Sequence, residues 1–439
     1  MNKKYIPHII GLMLELIALI PGMPAFLRII LALLPLLFFS GDLALSYLRR
    51  FSKKDYINEY IGSLITVFLT ILSGKLVHAA ICATLFSAAF AIFKEAYSKA
   101  QKRVDEYCKI LPKKASIFTP ERIKNIPVTH LKAGDTVALK EGDIIPCDGY
   151  VLQGSATVDY TNLFGSTEPM HIAAGTSCYS GGIVQDGALT LKASGDAVSS
   201  LAFVMEEKTR KAHRMSHTHD KLLGFSKLFQ PAFTAFGFLL FVIFVIASGK
   251  YGYSMNLFAV VSVASSTLII TKILPLLYHV FLLNARRNGV MFTSTESIEK
   301  LARIQTVTPC EGVLAEDLKK FEEINVVATR NGSDAIDAKL YRNKALLEAD
   351  PSPAYKIALG FFSKKADAQV FDAKAKKAAK GVRIAKAMRG IFYENLGILV
   401  IAKLLIIALM FFLKITPAIA LIIEFASWMI CLVNTTKKI

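Results

Sequence analysis

The sequence predicts an α-helical polytopic membrane protein of about eight transmembrane helices, carrying one β-rich hydrophilic domain and a second, small hydrophilic block of α/β or helical character. Three observations predict it. Of the 439 residues 53% are hydrophobic, mean hydropathy is +0.45, and the apolar residues fall in long blocks near the roughly 20 residues that a helix needs to cross a hydrocarbon core of about 30 Å. Between the fourth and fifth blocks, in residues 131–231, short runs of Val, Ile, Leu and Thr alternate with turns at Glu141-Gly142, Cys147-Asp148-Gly149 and Asp186-Gly187, which is the pattern of a compact β-rich domain.

In chain order the expected spans are 6–20, 24–45, 57–72, 76–93, 231–248, 257–283, 391–413 and 415–433; the first and third are short for a crossing. The first two form a hairpin closed by Pro21-Gly22-Met23-Pro24. Met1-Asn2-Lys3-Lys4 before an apolar run has the look of a signal peptide, but no small-residue cleavage site follows and a second span begins at once, so a retained helix is expected. The fourth span continues into a Lys- and Glu-rich helical stretch at 94–107. Glu15 is costly in lipid and is expected to face neighbouring helices. His78, at the turn after the third span, is read as solvated before it is read as an ion ligand.

The formal charge of +18 does not point to nucleic acid, because Lys and Arg sit next to span ends or in the hydrophilic blocks. Arg49, Arg50, Lys53 and Lys54 follow the second span, Lys94, Lys99, Lys102 and Arg103 the fourth, Arg286 and Arg287 the sixth, and Lys437 and Lys438 close the chain. The connections on the other side are thin. The positive-inside rule therefore puts both termini and both hydrophilic blocks in the cytoplasm. Cys82, Cys108, Cys147, Cys178, Cys310 and Cys431 show no Cys-x-x-Cys spacing and imply no disulfide framework.

The β-rich stretch contains GDTVALKEGDIIPCDGYVLQG (134–154), VDYTNLFGSTEP (158–169) and GGIVQDGALTL (181–191). In this order and register the motifs resemble the actuator domain of a P-type ATPase, in particular of the heavy-metal-transporting branch. The resemblance implies four N-terminal helices over 1–107, an actuator-like domain with its linker over 108–222, spans five and six over 223–289, a reduced remnant of the phosphorylation domain over 290–390 with no nucleotide-binding domain, and spans seven and eight over 391–439. Within the remnant a strand is expected at 324–329 and a Lys/Ala-rich helix at 366–389. The family's soluble Cys-x-x-Cys metal-binding domain is not expected.

The pattern fails where the family does its chemistry. Ser166 stands where the family's Thr-Gly-Glu-Ser places the glutamate that positions water for dephosphorylation, and Glu168, two residues on, is a poor substitute for a base within hydrogen-bond reach. Counted back from Ala285-Arg286-Arg287-Asn288-Gly289, the Cys-Pro-Cys ion motif falls on Ser266-Thr267-Leu268, so the soft ligands suited to Cu(I) or Zn(II) are gone. Lys272 is added inside the same span, one turn beyond and on the same face. The phosphorylation segment reads Val307-Thr308-Pro309-Cys310-Glu311-Gly312-Val313-Leu314: Pro309 replaces the aspartyl nucleophile, and Cys310, one position on, cannot form the acyl phosphate.

About a hundred residues separate the sixth and seventh spans, too few for two domains of the usual 100–200 residues each. Neither Gly-Asp-Gly-x-Asn-Asp nor a Walker motif occurs, and Asp334, Asp337, Asp367 and Asp372 are expected to be scattered surface carboxylates. Lys403 and Glu424 match membrane residues of zinc-type pumps. Glu424 is expected to be neutralised by Lys403 together with Lys272, which leaves the site biased against a divalent cation. His213, His217, His219 and Asp220 form a dense set of potential metal ligands, read as a solvated linker in preference to a zinc site.

Three functions follow from the resemblance and its departures. The first is a catalytically inactive scaffold or regulatory subunit in the membrane, with a protein partner or a second copy, no cofactor, no ATP binding and no nucleic acid. The second is a zinc- or cadmium-type transporter subunit that needs a catalytic partner, and the third a passive channel or carrier using Glu15, Lys272, His279, Lys403 and Glu424. On family grounds the membrane is the bacterial cytoplasmic one.

Overall fold

The computed structural model describes residues 3–107, 110–118, 122–164, 169–212, 217–310, 315–328, 337–352, 354–360, 363, 365–370 and 375–437. The chain divides into two compact units. One comprises Met1–Ser98, His217–Leu277 and Ile391–Lys437; the other comprises Lys99–Ser216, Tyr278–Gly390 and Lys438–Ile439.

The first unit opens with α1 (Ile6–Ala18), α2 (Ala25–Phe51), α3 (Glu59–Leu72) and α4 (Leu76–Tyr107). The α1–α2 and α3–α4 turns use Gly22 and Gly74 at φ +85° and +79°, a backbone region open to glycine. Asn58 caps α3 by accepting from the Tyr60 N–H at 3.0 Å, satisfying one of the donors every helix start leaves open. A Cβ at Gly62 would run into the Gln230 amide, so glycine is what admits that side chain.

The second unit begins with β1 (Lys114–Phe118), β2 (Ile123–Pro127), β3 (Thr136–Lys140) and β4 (Gly149–Asp159), followed by the short helix α5 (Thr161–Phe164). After it come β5 (Met170–Ala173), β6 (Ser177–Cys178), β7 (Ile183–Ala193) and helix α6 (Leu201–Ala212). The strands form one sheet in the order β2-β1-β3-β7-β4-β5, with β6 also on β4, and every pairing is antiparallel. Val137, Val151, Val158, Val184 and Leu191 are fully buried at its centre, as period-two alternation requires. Burial pushes the Cys147 and Cys178 thiols up to about 12, with the charge of Asp148 a further cause for both and that of Cys178 one for Cys147; both are inert core side chains.

Gly154 and Gly187, at φ +90° and +93°, lie where β4 and β7 cross, and a Cβ on either would strike a carbonyl of the opposite strand, Ala188 O or Ser155 O. Gly142 has a similar φ of +84° but open space around it. Gly187→Ala is therefore expected to cost about 2–4 kcal/mol, combining left-handed strain with overpacking, whereas Gly142→Ala should cost only the strain, about 1–2 kcal/mol. Thermal unfolding of the detergent-solubilised protein checks this: equal losses would mean that the carbonyl contact contributes nothing.

The chain returns to the first unit through α7 (His217–Ser248), α8 (Tyr251–Ala264), a π-helical turn at Ile269–Ile273 and α9 (Leu274–Arg287). The expected single helix over 257–283 is thus broken. Ser265-Ser266-Thr267 interrupt it, three consecutive hydroxyl residues of the kind that compete for backbone groups; the Ser265 hydroxyl donates back to the Ser262 carbonyl at 2.7 Å. The linker expected at 213–220 leads into helix, His217–Asp220 forming the first turn of α7.

The second unit then continues with β8 (Val290–Phe292), α10 (Thr295–Leu301), β9 (Thr306–Pro309), α11 (Ala315–Glu322), β10 (Val327–Ala328), β11 (Asp337–Tyr341), α12 (Lys344–Ala349), β12 (Tyr355–Leu359) and β13 (Ala368–Val370). Their sheet runs β10-β9-β11-β12-β13-β8, parallel except for β8. Of the two readings of this block, α/β is the one observed. The first residues of the helix expected from 366 are instead a strand: Ala368-Gln369-Val370 are fully buried in the sheet, tertiary pairing overriding alanine's helix propensity, and the described helix is Ala375–Phe412. The strand expected at 324–329 is shorter, with Asn325 turning at φ +55° before it.

The last helices are α13 (Ala375–Phe412) and α14 (Pro417–Thr436). Among the described residues six helices are long and apolar enough to cross a membrane, within 25–51, 76–106, 220–248, 251–287, 375–412 and 417–436, while α1 and α3 are apolar but shorter. The protein is a polytopic membrane protein with a β-rich hydrophilic domain.

Candidate functional site

The break after α8 sets up the membrane site. A helix that stops leaves its last carbonyls without intrahelical partners, and here the carbonyls of Ala264 and Ser266 both accept from the Lys403 ammonium, at 2.8 and 2.7 Å. The same ammonium lies 2.8 Å from Glu424 Oε1. Lys403 comes from α13 and Glu424 from α14. The Glu424 side chain is fully buried and that of Lys403 is 13% exposed. Ser427, one turn along α14, donates to the Glu424 carbonyl at 2.7 Å, and the neighbouring Trp428 is fully buried. All three of the ammonium's donor directions are used, on two carbonyls and one carboxylate.

Of the residues singled out in the sequence, Ser266, Lys403 and Glu424 meet here, Ser266 through its backbone oxygen. Leu268 is buried on the turn that follows. Lys272 is not part of this site, which corrects the expectation that two lysines share Glu424. It pairs instead with Glu59 at the start of α3. A regular α-helix would have kept Lys272 on the face of the lost motif, but the unwound segment and the wider π turn rotate it away. Arg50 also reaches Glu59, at 3.5 Å, and Asp55 at 3.4 Å, and Lys227 lies 3.7 Å from Asp55. Glu59 was not legible as a site residue, since an acidic residue in a first helical turn usually just complements the helix dipole.

The donor set around Lys403 is three oxygens. Zn2+ prefers thiolate and imidazole with carboxylate support, whereas here two carbonyls and one carboxylate oxygen are held by the ammonium. Among the described residues no group of three or more His, Cys, Asp or Glu is placed to hold a metal ion. His213 lies outside the described residues, as do the side chains of His217 and His219.

The second place is the edge of the mostly parallel sheet. Ligand sites of such sheets form at the carboxyl ends of the strands, and Pro309 is the last residue of β9. Cys310 follows, its N–H donating to the Leu340 carbonyl at 2.9 Å and its side chain packed among Tyr341, Leu347, Ala358 and Ala366. Proline offers no nucleophile at that edge, and the thiol is committed to apolar packing. Glu311–Leu314 lie outside the described residues, as do Gly165, Ser166, Thr167 and Glu168 of the actuator-type loop, and Asp334, Asp372 and the Asp337 side chain. Asp367 is structural: its carboxylate accepts from the Lys356 N–H at 3.0 Å, and burial raises its pKa.

Two carboxylates that the sequence did not single out organise the second unit. Asp148 accepts from the Ser180 N–H and hydroxyl, both at 2.8 Å, and from the Leu201 N–H at 2.7 Å, which starts α6. Asp350 accepts from Tyr341, from the Ser352 N–H at 2.8 Å and from Lys339 at 3.1 Å. Burial alone would raise its pKa, and these donors overcome it and hold the carboxyl well below its ordinary range.

The family model of the P-type ATPase actuator domain matches residues 109–204. The cadmium, zinc and cobalt-transporting ATPase of Bacillus subtilis is 27% identical over 216 residues, covering 48% of this chain and 30% of that protein. The zinc-transporting ATPase of the same organism is 23% identical over 303 residues, 65% and 47% of the two chains. The copper-exporting P-type ATPase B of Archaeoglobus fulgidus is 23% identical over 239 residues, 54% and 34%. The chain thus spans about a third to a half of the length of these curated relatives. A crystal structure of a zinc-transporting PIB-type ATPase in the E2.Pi state shares the fold, with a TM-score of 0.53 at 13% identity and full coverage of both chains. Residues 109–204 match the P-type ATPase actuator domain, and the chain that holds them is similar in sequence to heavy-metal-transporting P-type ATPases.

Proposed function

We propose that this chain is a catalytically inactive relative of the heavy-metal pumps that serves as a scaffold or regulatory subunit in the membrane, with a protein partner or a second copy of itself. The observation that supports it most is Pro309 at the carboxyl edge of β9, where covalent catalysis needs a carboxylate. The short stretch between α9 and α13 adds to it, as does the ammonium bound to the oxygens of the membrane site. Both termini and the hydrophilic unit lie on the cytoplasmic side in this reading, which the Lys and Arg bias supports, and the membrane is the bacterial cytoplasmic one.

The second reading is a zinc- or cadmium-type transporter subunit completed by another chain. The retained Lys403–Glu424 pair favours it, since a lysine can stand in for a cation that comes and goes. One experiment separates the readings. The chain, purified in mild detergent together with any protein that stays bound to it, incubated with γ-labelled ATP and acid-quenched, is expected to remain unlabelled, and liposomes containing that preparation should show no zinc uptake beyond that of the bound protein alone, driven by ATP or by a gradient. Hydroxylamine-sensitive label overturns the inactive reading, as does zinc flux of either kind; gradient-driven flux alone marks a channel or carrier.

A further inference from the structure

The interface of α1 with α2 and α4 holds a line of polar groups that neither the pump-like site nor the sheet edge uses. Tyr5 donates to Glu95 Oε2 at 2.6 Å. Next along α1, His8 Nε2 lies 3.1 Å from the Ser87 hydroxyl, which itself donates to Asp42 Oδ2 at 3.0 Å. With its hydrogen committed to Asp42, Ser87 accepts from His8, which fixes the tautomer with the proton on Nε2. His8 is stacked on Phe39 with ring centroids 4.9 Å apart. Two turns further along α1 is Glu15, fully buried. Thr84 donates to its Oε1 at 2.6 Å; its Oε2 is buried with no hydrogen-bond partner, and among the described residues it has no ion-pair partner.

The groups around Glu15 cannot neutralise it. From α4 it meets Thr84 and the fully buried Cys82; from α2 the nearest ionisable group of this line is Asp42, itself an acid, and on α1 it is His8, already engaged with Ser87. Contrast Glu59 and Glu424, each of which has a lysine. An ionised carboxylate with an orphan oxygen is far more costly in such a place than a neutral acid or one bound to a small cation. We propose that the α1–α4 interface carries a cation-binding site at Glu15 Oε2 whose resident ligand is a proton, exchanged along the line of His8, Ser87, Asp42, Tyr5 and Glu95 toward the far end of that interface.

The binding step moves one proton from solvent to Oε2, forming one O–H bond and neutralising one negative charge. The test is infrared spectroscopy of the purified full chain at neutral pH. The wild type is expected to show the carbonyl stretch of a protonated carboxylic acid, displaced by carbon-13 glutamate labelling, which needs no variant, and missing in Glu15→Gln. Glu15→Gln should melt near the wild-type temperature, because an amide replaces a neutral acid. Ser87→Ala should keep the band but slow its shift on transfer to heavy water. A wild type without a glutamate carboxyl band overturns the proposal, as does a band that survives Glu15→Gln. So does a rise in melting temperature with sodium, potassium or zinc chloride that Glu15→Gln abolishes, which would make a metal ion the ligand. Exchange unaffected by Ser87→Ala would remove the relay.

Discussion

Lys403→Ala should destabilise the membrane unit by about 3–5 kcal/mol, the usual consequence of removing one member of a buried ion pair. The charge left behind is Glu424, fully buried and without a cation, its other oxygen 3.5 Å from the Ser427 hydroxyl. Two more acceptors, the carbonyls of Ala264 and Ser266, lose their donor in the same change. Glu424→Ala should be costly for the mirror-image reason, although less so, because the ammonium keeps two carbonyls and a partly open side. The double change Lys403→Ala, Glu424→Ala should recover part of the loss, as removing both charges of a buried pair is far less damaging than removing one. Melting temperatures of the three variants in detergent decide it. Additive losses would mean that the pair contributes nothing as a pair. Zinc analysis of the same samples adds a second readout: the wild type is expected to hold no stoichiometric zinc, and zinc that vanishes in Glu424→Ala would establish the transporter reading.

What was legible from the residues was whatever depends on local pattern. Long apolar blocks mark the helices, and the two doubtful spans are the two short helices α1 and α3. Strand alternation with glycine turns marks the actuator-type sheet, in which the expected turn at Asp186-Gly187 and Gly154 lie where β4 and β7 approach most closely. What was not legible depends on partners distant in sequence. Nothing near Asp148 foretells that it caps α6 from the opposite end of the domain, because a Cys-Asp-Gly turn is explained well enough by its own geometry. Met291 is a member of the actuator core although it follows a different membrane helix. The strand Ala368–Val370 reads as helix until its neighbours β12 and β8 are known.

The same dependence on distant partners explains Lys272, whose site could be counted only by assuming that α8 and α9 were one regular helix. In the structure it serves Glu59, which is 8% exposed at its side chain, and this separation has a measurable consequence. Lys272→Ala should cost about 1.5–3 kcal/mol, the range for a lost hydrogen bond to a charged group, and not more, because Arg50 stays 3.5 Å from the same carboxylate. Glu59→Ala should cost more, since Lys272 then has no ion-pair partner among the described residues and Arg50 keeps only Asp55. Asp55→Ala removes partly exposed contacts with Lys227 and Arg50 and should cost at most about 1 kcal/mol. Combining Lys272→Ala with Lys403→Ala discriminates most sharply. If the two ammonium groups neutralise different carboxylates, their effects should add within about 0.5 kcal/mol, as they do for sites without shared partners. If both lysines served Glu424, the second removal would act on a carboxylate already half deprived, and the double variant would depart from additivity by about 0.5–3 kcal/mol. Unfolding of the four proteins in one detergent measures that coupling, and a departure of this size would return Lys272 to the Glu424 site.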